Sequence, residues 1–183
     1  MINKILALKY RPQAFKDLIG QEIISETILS GIKNGKTPNA YLLTGIRGVG
    51  KTTIARLIAK ALNCEKNLNK KIICDQENFC NSCSEIISSS HIDVLEMDAA
   101  SKTGIDDVRE LIENSKYSPT SAQFKIFIID EVHMLSKQAF NGLLKTLEEP
   151  PPSLKFILAT TEVRKIPVTI LSRCQRFDLK RVG

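Results

Sequence analysis

No stretch of this sequence reaches the roughly 18 apolar residues that a bilayer-crossing helix needs, so no membrane-spanning helix and no membrane partner are expected. The opening residues, MINKILALKYRP, hold only Ile5 to Leu8 as an apolar core before Lys9 and Arg11. That core is too short for a secretory signal and no cleavage site follows it, so a cytoplasmic location is expected. Neither an internal repeat nor a low-complexity tract is present.

What is present is ordinary globular composition. The 183 residues, 43% hydrophobic and 25% charged, suffice for one domain with a sizeable core, or one domain and a small module. Lys and Arg number 26 against 20 Asp and Glu. The excess suits a nucleotide or nucleic-acid partner, but a plain solvated surface carries such an excess as well. Charge alone does not choose between them.

The stretch that does choose is Gly45-Ile46-Arg47-Gly48-Val49-Gly50-Lys51-Thr52, which reads G-x-x-x-x-G-K-T. Before it, Ala40 to Thr44 is a short apolar run fit for a buried strand. After it, Thr53 to Leu62 sets Ile54, Leu57, Ile58 and Ala61 on one helical face. A bare glycine-rich turn could match the pattern by accident, but strand and helix on either side fit a phosphate-binding loop. Backbone N–H groups of Gly45, Arg47, Gly48, Val49 and Gly50, with those of Lys51, Thr52 and Thr53 opening the helix, would face phosphate oxygens where the helix dipole favours anions. Lys51 would reach the β- and γ-phosphates, and the Thr52 hydroxyl would ligate Mg²⁺.

Between positions 63 and 84 the pattern changes. Cys64, Cys74, Cys80 and Cys83 crowd into this segment, and Cys80-Asn81-Ser82-Cys83 is a C-x-x-C. Under cytoplasmic conditions such clustering argues for metal over disulfides. Four thiolates close a tetrahedral site suited to structural Zn²⁺, with no position left open for water. Free buried cysteines are the plainer alternative; a redox pair would leave Cys64 and Cys74 unexplained. Cys174, far along the chain, reads as packing.

Ahead of the loop, residues 8–21 are punctuated by Pro12 and Gly20, and Glu22 to Lys33 has helical spacing stopped by Asn34-Gly35. Beyond the cysteines, strands are expected over 91–97, 125–129, 154–159 and 176–179, with helices over 105–115, after Ser136 as cap, and from Pro167 to Ser172. Five strands alternating with helices predict an α/β fold: a five-stranded parallel sheet of the P-loop NTPase kind, with an inserted zinc module. Ligands then sit beyond the carboxyl ends of the strands. That rule gathers the phosphate loop, Asp130-Glu131 and Thr161. Asp130 follows an apolar strand, the placement of an acid that holds Mg²⁺, and Glu131 could orient and deprotonate a water. An acidic pair capping a turn is the structural alternative. Arg173, after the last short helix, is a candidate extra cation or a plain surface residue.

Taken together, Lys9-Tyr10-Arg11-Pro12 with Phe15, Asp17, Gly20 and Gln21, the phosphate loop, the cysteines, Met97 to Ser101, Asp130-Glu131-Val132-His133-Met134-Leu135, Leu158 to Thr161 and Ser172-Arg173-Cys174 resemble the AAA+ ATPases of sliding-clamp loaders. The resemblance covers essentially every residue. It implies that Ala7, Tyr10, Arg11 and Pro12 line the adenine and ribose site. It also implies that Thr161 senses the γ-phosphate and that Arg173 reaches ATP held by a neighbouring subunit. The cofactors implied are ATP, Mg²⁺ and Zn²⁺; the partners are other clamp-loader subunits, the sliding clamp and primer-template DNA. A small helical domain and an oligomerising collar would lie beyond Gly183, making 1–183 one nucleotide-binding domain of a longer chain, with weak turnover alone. One departure concerns the knuckle: five residues separate Cys74 from Cys80 where the family has a C-x-x-C step, which puts Cys74 in doubt as a ligand. His133 reads as a supporting or packing residue, and His91 as too far from the knuckle to replace a cysteine. Two other functions remain in view: a helicase or Holliday-junction motor, against which the cysteines speak, and a non-hydrolysing scaffold, against which Lys51, Thr52, Asp130 and Glu131 speak.

Overall fold

In the computed structural model, which describes residues 22–46, 50–65, 74, 79–101, 110, 113 and 118–180, the elements follow the apolar pattern closely. Helix α1 (Glu22–Lys33) precedes strand β1 (Ala40–Thr44) and helix α2 (Lys51–Asn63). Helix α3 (Asn81–Ile87) and strand β2 (Val94–Asp98) follow, then β3 (Lys125–Asp130), α4 (Lys137–Glu148), β4 (Leu154–Thr160), the short α5 (Val168–Leu171) and β5 (Gln175–Asp178). The helix expected over 105–115 and the loop over 8–21 lie almost wholly outside the described residues.

The five strands form one sheet in the order β2-β3-β4-β1-β5, and every pairing is parallel. Because side chains alternate across a strand, successive residues feed opposite faces. Tyr41, Leu43, Ile126, Ile128, Ile157 and Ala159 join one apolar cluster with Ile28 of α1 and Ile54, Leu57 and Ile58 of α2. Leu42, Phe127, Ile129, Phe156 and Leu158 join the other, with Phe140, Leu143 and Leu147 of α4 and Ile170 of α5. Both faces are therefore buried, which is why these strands read as continuous apolar runs. Ser136 caps α4 as expected, its hydroxyl accepting the Ala139 N–H at 3.1 Å.

Several strand boundaries differ from the expected ones by one to three residues. β5 begins at Gln175 and stops at Asp178, and β2 begins at Val94 instead of His91. The reason at β2 is polar chemistry that apolar spacing does not register. Asp93, fully buried, turns its carboxylate onto the N–H groups of Thr120, Ser121 and Ala122 at 2.7–2.9 Å and onto the Ser121 hydroxyl at 3.2 Å. These bonds hold the segment entering β3 beside the start of β2. Asn63, at the end of α2, exchanges two 3.0 Å bonds with the backbone of Phe124, so the same segment is also tied to the phosphate-loop helix.

Burial alone would raise the Asp93 carboxyl, but the bonds it accepts overcome this and hold it below its ordinary value. A depressed folded-state value means that the contribution is complete above the unfolded value of about 4 and is lost as pH falls below it. Asp93→Ala, which removes a charged acceptor from three backbone N–H groups, is expected to cost about 3 kcal/mol in urea denaturation at pH 7. The difference from wild type should shrink in acid. A loss under about 0.5 kcal/mol would contradict this role.

Candidate functional site

The carboxyl ends of the strands carry Thr44, Asp98, Asp130, Thr160 and Asp178, and register brings them side by side: Asp98 opposite Asp130, Thr44 opposite Thr160 and Asp178. Gly50 caps α2 at φ 103°, a left-handed conformation that a side chain would strain. Gly50, the N-cap, makes no side-chain cap hydrogen bond to the first N–H groups of α2, which suits an anion site. Gly45 and Ile46 turn their carbonyls onto the Lys51 ammonium, which donates to both at 2.8 Å. Thr53 lies in the first turn of α2. Arg47, Gly48 and Val49, together with Ala7, Tyr10, Arg11 and Pro12, lie outside the described residues.

Thr52 Oγ1 stands 3.4 Å from Asp130 Oδ2, while the other carboxylate oxygen of Asp130 accepts the N–H of Glu131 at 2.9 Å. Burial, with the nearby charges of Glu131 and Asp98, pushes the Asp130 carboxyl above its ordinary value, although Lys51 and the Glu131 N–H pull the other way. A cleft of about 300 Å³ opens beside this pair, lined by Thr52, Arg56, Glu96, Asp98 and Asp130 among others. Arg56 closes one wall in a two-pronged pair with Glu96 at 2.9 and 3.0 Å. A hydroxyl and a carboxylate facing one another at the mouth of an acidic cleft fit a hard divalent cation held by oxygen.

Glu131 has φ 50°, rare for a residue with a side chain, in the turn before the single helical turn Val132–Met134. Its Oε2 accepts the Thr161 hydroxyl at 3.0 Å and lies 3.5 Å from His133 Nδ1. Lys51, Thr52, Asp130, Glu131 and Thr161 thus gather at one edge of the sheet. Arg173 is not among the residues lining the cleft. Its guanidinium, about one-third exposed, donates to the Thr169 carbonyl at 2.7 Å and to Glu148 at 3.4 Å.

The four clustered cysteines form a second constellation. Cys64 directly follows α2, Cys80 caps α3, and all four sulfurs lie within 4.8 Å of one another. Cys64 Sγ is 3.5 Å from Cys74 Sγ and 4.0 Å from Cys80 Sγ. Four sulfurs about 2.3 Å from a tetrahedral zinc would lie roughly 3.8 Å apart, so this knot fits that cation with little adjustment. Two sulfurs are already oriented by amides: Cys80 N–H on Cys74 at 3.3 Å and Cys83 N–H on Cys80 at 3.4 Å. Cys74 joins the cluster despite its longer spacing from Cys80. The hydrogen bond with Cys64, then burial, pushes the Cys83 thiol up, and burial does the same at Cys74. Crowded thiols resist ionising together unless a cation offsets their charge. His91 is not in the knot; its Nε2 lies 3.0 Å from Ser82 Oγ inside the C-x-x-C, while Nδ1 accepts the Asp93 N–H at 3.0 Å. Cys174 packs against α5, its thiol donating to the Ile170 carbonyl, and burial pushes it up to about 11.

Sequence spacing did not reveal Asp98 as a third carboxylate at the edge, the Arg56–Glu96 wall, or the contact between His133 and the strand after it. Asp98 could have been found, since it ends an apolar run just as Asp130 does. The side-chain pairs needed the fold.

A family model described as DNA polymerase III, delta subunit, matches residues 20–183. The chain belongs to this family. It is 54% identical over 179 residues to DNA polymerase III subunit gamma of Buchnera aphidicola subsp. Schizaphis graminum, covering 98% of this chain and 48% of that one. Relatives named subunit tau are spanned over about a quarter of their length, so the chain spans roughly a quarter to a half of the curated relatives it matches. Among solved structures, a DNA polymerase III, gamma subunit-related protein from Thermotoga maritima matches with TM-score 0.63 and 25% identity, over 86% of this chain and 46% of that one. The RuvB Holliday junction branch migration motor from Thermotoga maritima matches with TM-score 0.60 and 21% identity, over 93% and 48%, a likeness of fold.

Metal removal probes the knot directly. Stripping metal with a strong chelator is expected to lower the melting temperature of the purified protein by several degrees, and Cys74→Ser should lower its metal content. Unchanged melting after complete removal would contradict a structural metal here.

Proposed function

We propose that this chain is the ATP-binding and hydrolysing motor domain of a DNA polymerase III clamp-loader subunit, acting in the loading of a sliding clamp onto primed DNA. The observation that carries the reading is the meeting of Thr52 and Asp130 at 3.4 Å beside Lys51, at the strand ends of a parallel sheet. Residues 1–183 are read as one nucleotide-binding domain of a longer chain, with the cysteine knot of 63–84 as an inserted zinc module. The clamp, primer-template DNA and sister subunits are the partners proposed, and the cytoplasm is the proposed location. The relatives' names support this reading, as does an identity of 51–54% over 98% of this chain.

Magnesium, when bound with ATP, would supply positive charge against the charge that develops on the phosphates. Thr52 and Asp130 would hold it from two sides. The Lys51 ammonium, now resting on the carbonyls of Gly45 and Ile46, would transfer to the β- and γ-phosphates. Gly45, Arg47, Gly48, Val49, Gly50 and Thr53 would offer backbone N–H groups to the same anion, and Ala7, Tyr10, Arg11 and Pro12 would flank the base and sugar. Glu131 would orient the attacking water and take its proton. Thr161 has a single hydroxyl proton and now gives it to Glu131. A γ-phosphate competing for that proton would free the carboxylate for water, so sensing and activation share one hydrogen bond. Arg173, exposed and away from the cleft, suits a role on the nucleotide of a neighbouring subunit. A Holliday-junction motor shares the fold, but no observation favours it over the reading above.

In the full-length subunit assembled with its partners, Lys51→Ala should abolish DNA-stimulated ATP turnover. Arg173→Ala should leave nucleotide affinity within about twofold while lowering turnover at least about a hundredfold. Equal loss of affinity and turnover in Arg173→Ala would contradict its assignment to a neighbour's nucleotide.

A further inference from the structure

One side chain at the strand-end edge has no part in the reading above, although it lies against a group that does. His133 sits in the helical turn Val132–Met134, directly after the left-handed Glu131. Its Nδ1 lies 2.8 Å from Oγ1 of Thr160, a residue with no solvent exposure, and 3.5 Å from Glu131 Oε2. Thr160 belongs to β4, in register with Thr44 of β1, and its hydroxyl oxygen also accepts the Glu162 N–H at 3.0 Å. The imidazole therefore bridges a fixed post in the middle of the sheet to the carboxylate on the turn.

The neighbours of Nδ1 favour the tautomer that carries its hydrogen there. A bare Nδ1 would set its lone pair against the carboxylate oxygen 3.5 Å away. An Nδ1 that carries hydrogen donates to Thr160 and lies within attractive reach of Glu131. Glu131 Oε2 thus accepts the Thr161 hydroxyl at 3.0 Å and faces the His133 ring edge, whose Nδ1 hydrogen is engaged by Thr160. Thr161 can give its single proton to only one acceptor. Once that proton goes to a phosphate, His133 is left to orient the carboxylate.

We propose that His133 is a positioning residue for Glu131: with Nδ1 anchored on the buried Thr160 hydroxyl, its ring edge 3.5 Å from Oε2 keeps the carboxylate in place by electrostatic attraction when Thr161 turns to the nucleotide. The inference rests on the hydrolytic reading of Glu131. It attributes to His133 an effect on the chemical step and none on nucleotide binding, because the imidazole does not line the cleft beside Thr52 and Asp130. A staple that merely folds the turn onto β4 would affect binding, turnover and stability together.

The test compares wild type, His133→Leu and His133→Asn in the full-length subunit assembled with its partners, with DNA-stimulated ATP turnover and affinity for a fluorescent ATP analogue measured in parallel. An asparagine amide can place an N–H near the position of Nδ1; leucine fills the space without a donor. The expected result is a kcat about tenfold lower in His133→Leu, with KM and analogue affinity within about twofold, and recovery of at least about a third of the lost turnover in His133→Asn. A leucine variant that keeps kcat within about twofold of wild type overturns the proposal. So does an equal fall of kcat and affinity in both variants, which marks a folding role. Wild-type turnover that survives Lys51→Ala would overturn the hydrolytic reading itself, and this proposal with it, a failure visible before either histidine variant is measured.

Discussion

Thr52 and Asp130 are 78 positions apart, on a helix that leaves β1 and a strand two places across the sheet, yet their oxygens stand 3.4 Å apart. That approach depends on one geometric constraint. The helix after the glycine loop must lie against the sheet so that its first turn ends over the tip of β3. Ile54, Leu57 and Ile58 secure it by packing into the cluster that holds Ile126, Ile128 and Ala159. Burial of a few such side chains is worth roughly 1.5–3 kcal/mol each, enough to hold an acid and a hydroxyl within reach of one another. At the far end of α2, Asn63 is tied to Phe124 and Cys64 enters the cysteine knot, so the helix is fixed at both ends.

The electrostatics follow from the same arrangement. Parallel strands deliver their last residues to one edge, and here the sequence places Asp98 and Asp130 at matching register, with Glu131 just beyond. Burial first, and then the nearby charges of Glu131 and Asp98, push the Asp130 carboxyl up rather than down. Such a cluster is costly on its own and becomes favourable once a divalent cation sits against it. The strained backbone of Glu131 belongs to the same economy, turning its side chain away from Asp130 and toward Thr161 and His133.

How much of this could be read from the sequence differs between elements for physical reasons. The sheet was legible, because strands buried on both faces are continuous apolar runs, and Leu42 and Leu43 or Ile128 and Ile129 cannot both be buried any other way. The loop and its helix were legible because glycine spacing and helical periodicity report backbone geometry directly. Cys74 was less so: spacing along the chain does not say where its sulfur lies relative to the others, and only the sulfur positions bring it into the knot. The start of β2 was missed because Asp93 is buried by hydrogen bonds, and apolar periodicity carries no information on polar satisfaction. The contacts of His133 with Thr160 and Glu131 join neighbouring strand ends, and pairings of that kind appear only once strand order and register are known.

The central claim is that Lys51, Thr52 and Asp130 serve one metal–nucleotide complex. Substituting Mn²⁺ for magnesium makes it measurable, since the electron paramagnetic resonance of the ion reports both its affinity and its ligands. In the full-length protein with an ATP analogue, Mn²⁺ affinity should fall sharply in Asp130→Ala and more modestly in Thr52→Val, with phosphorus coupling to the ion retained in wild type. Mn²⁺ bound with nucleotide equally well by wild type and both variants would contradict the account.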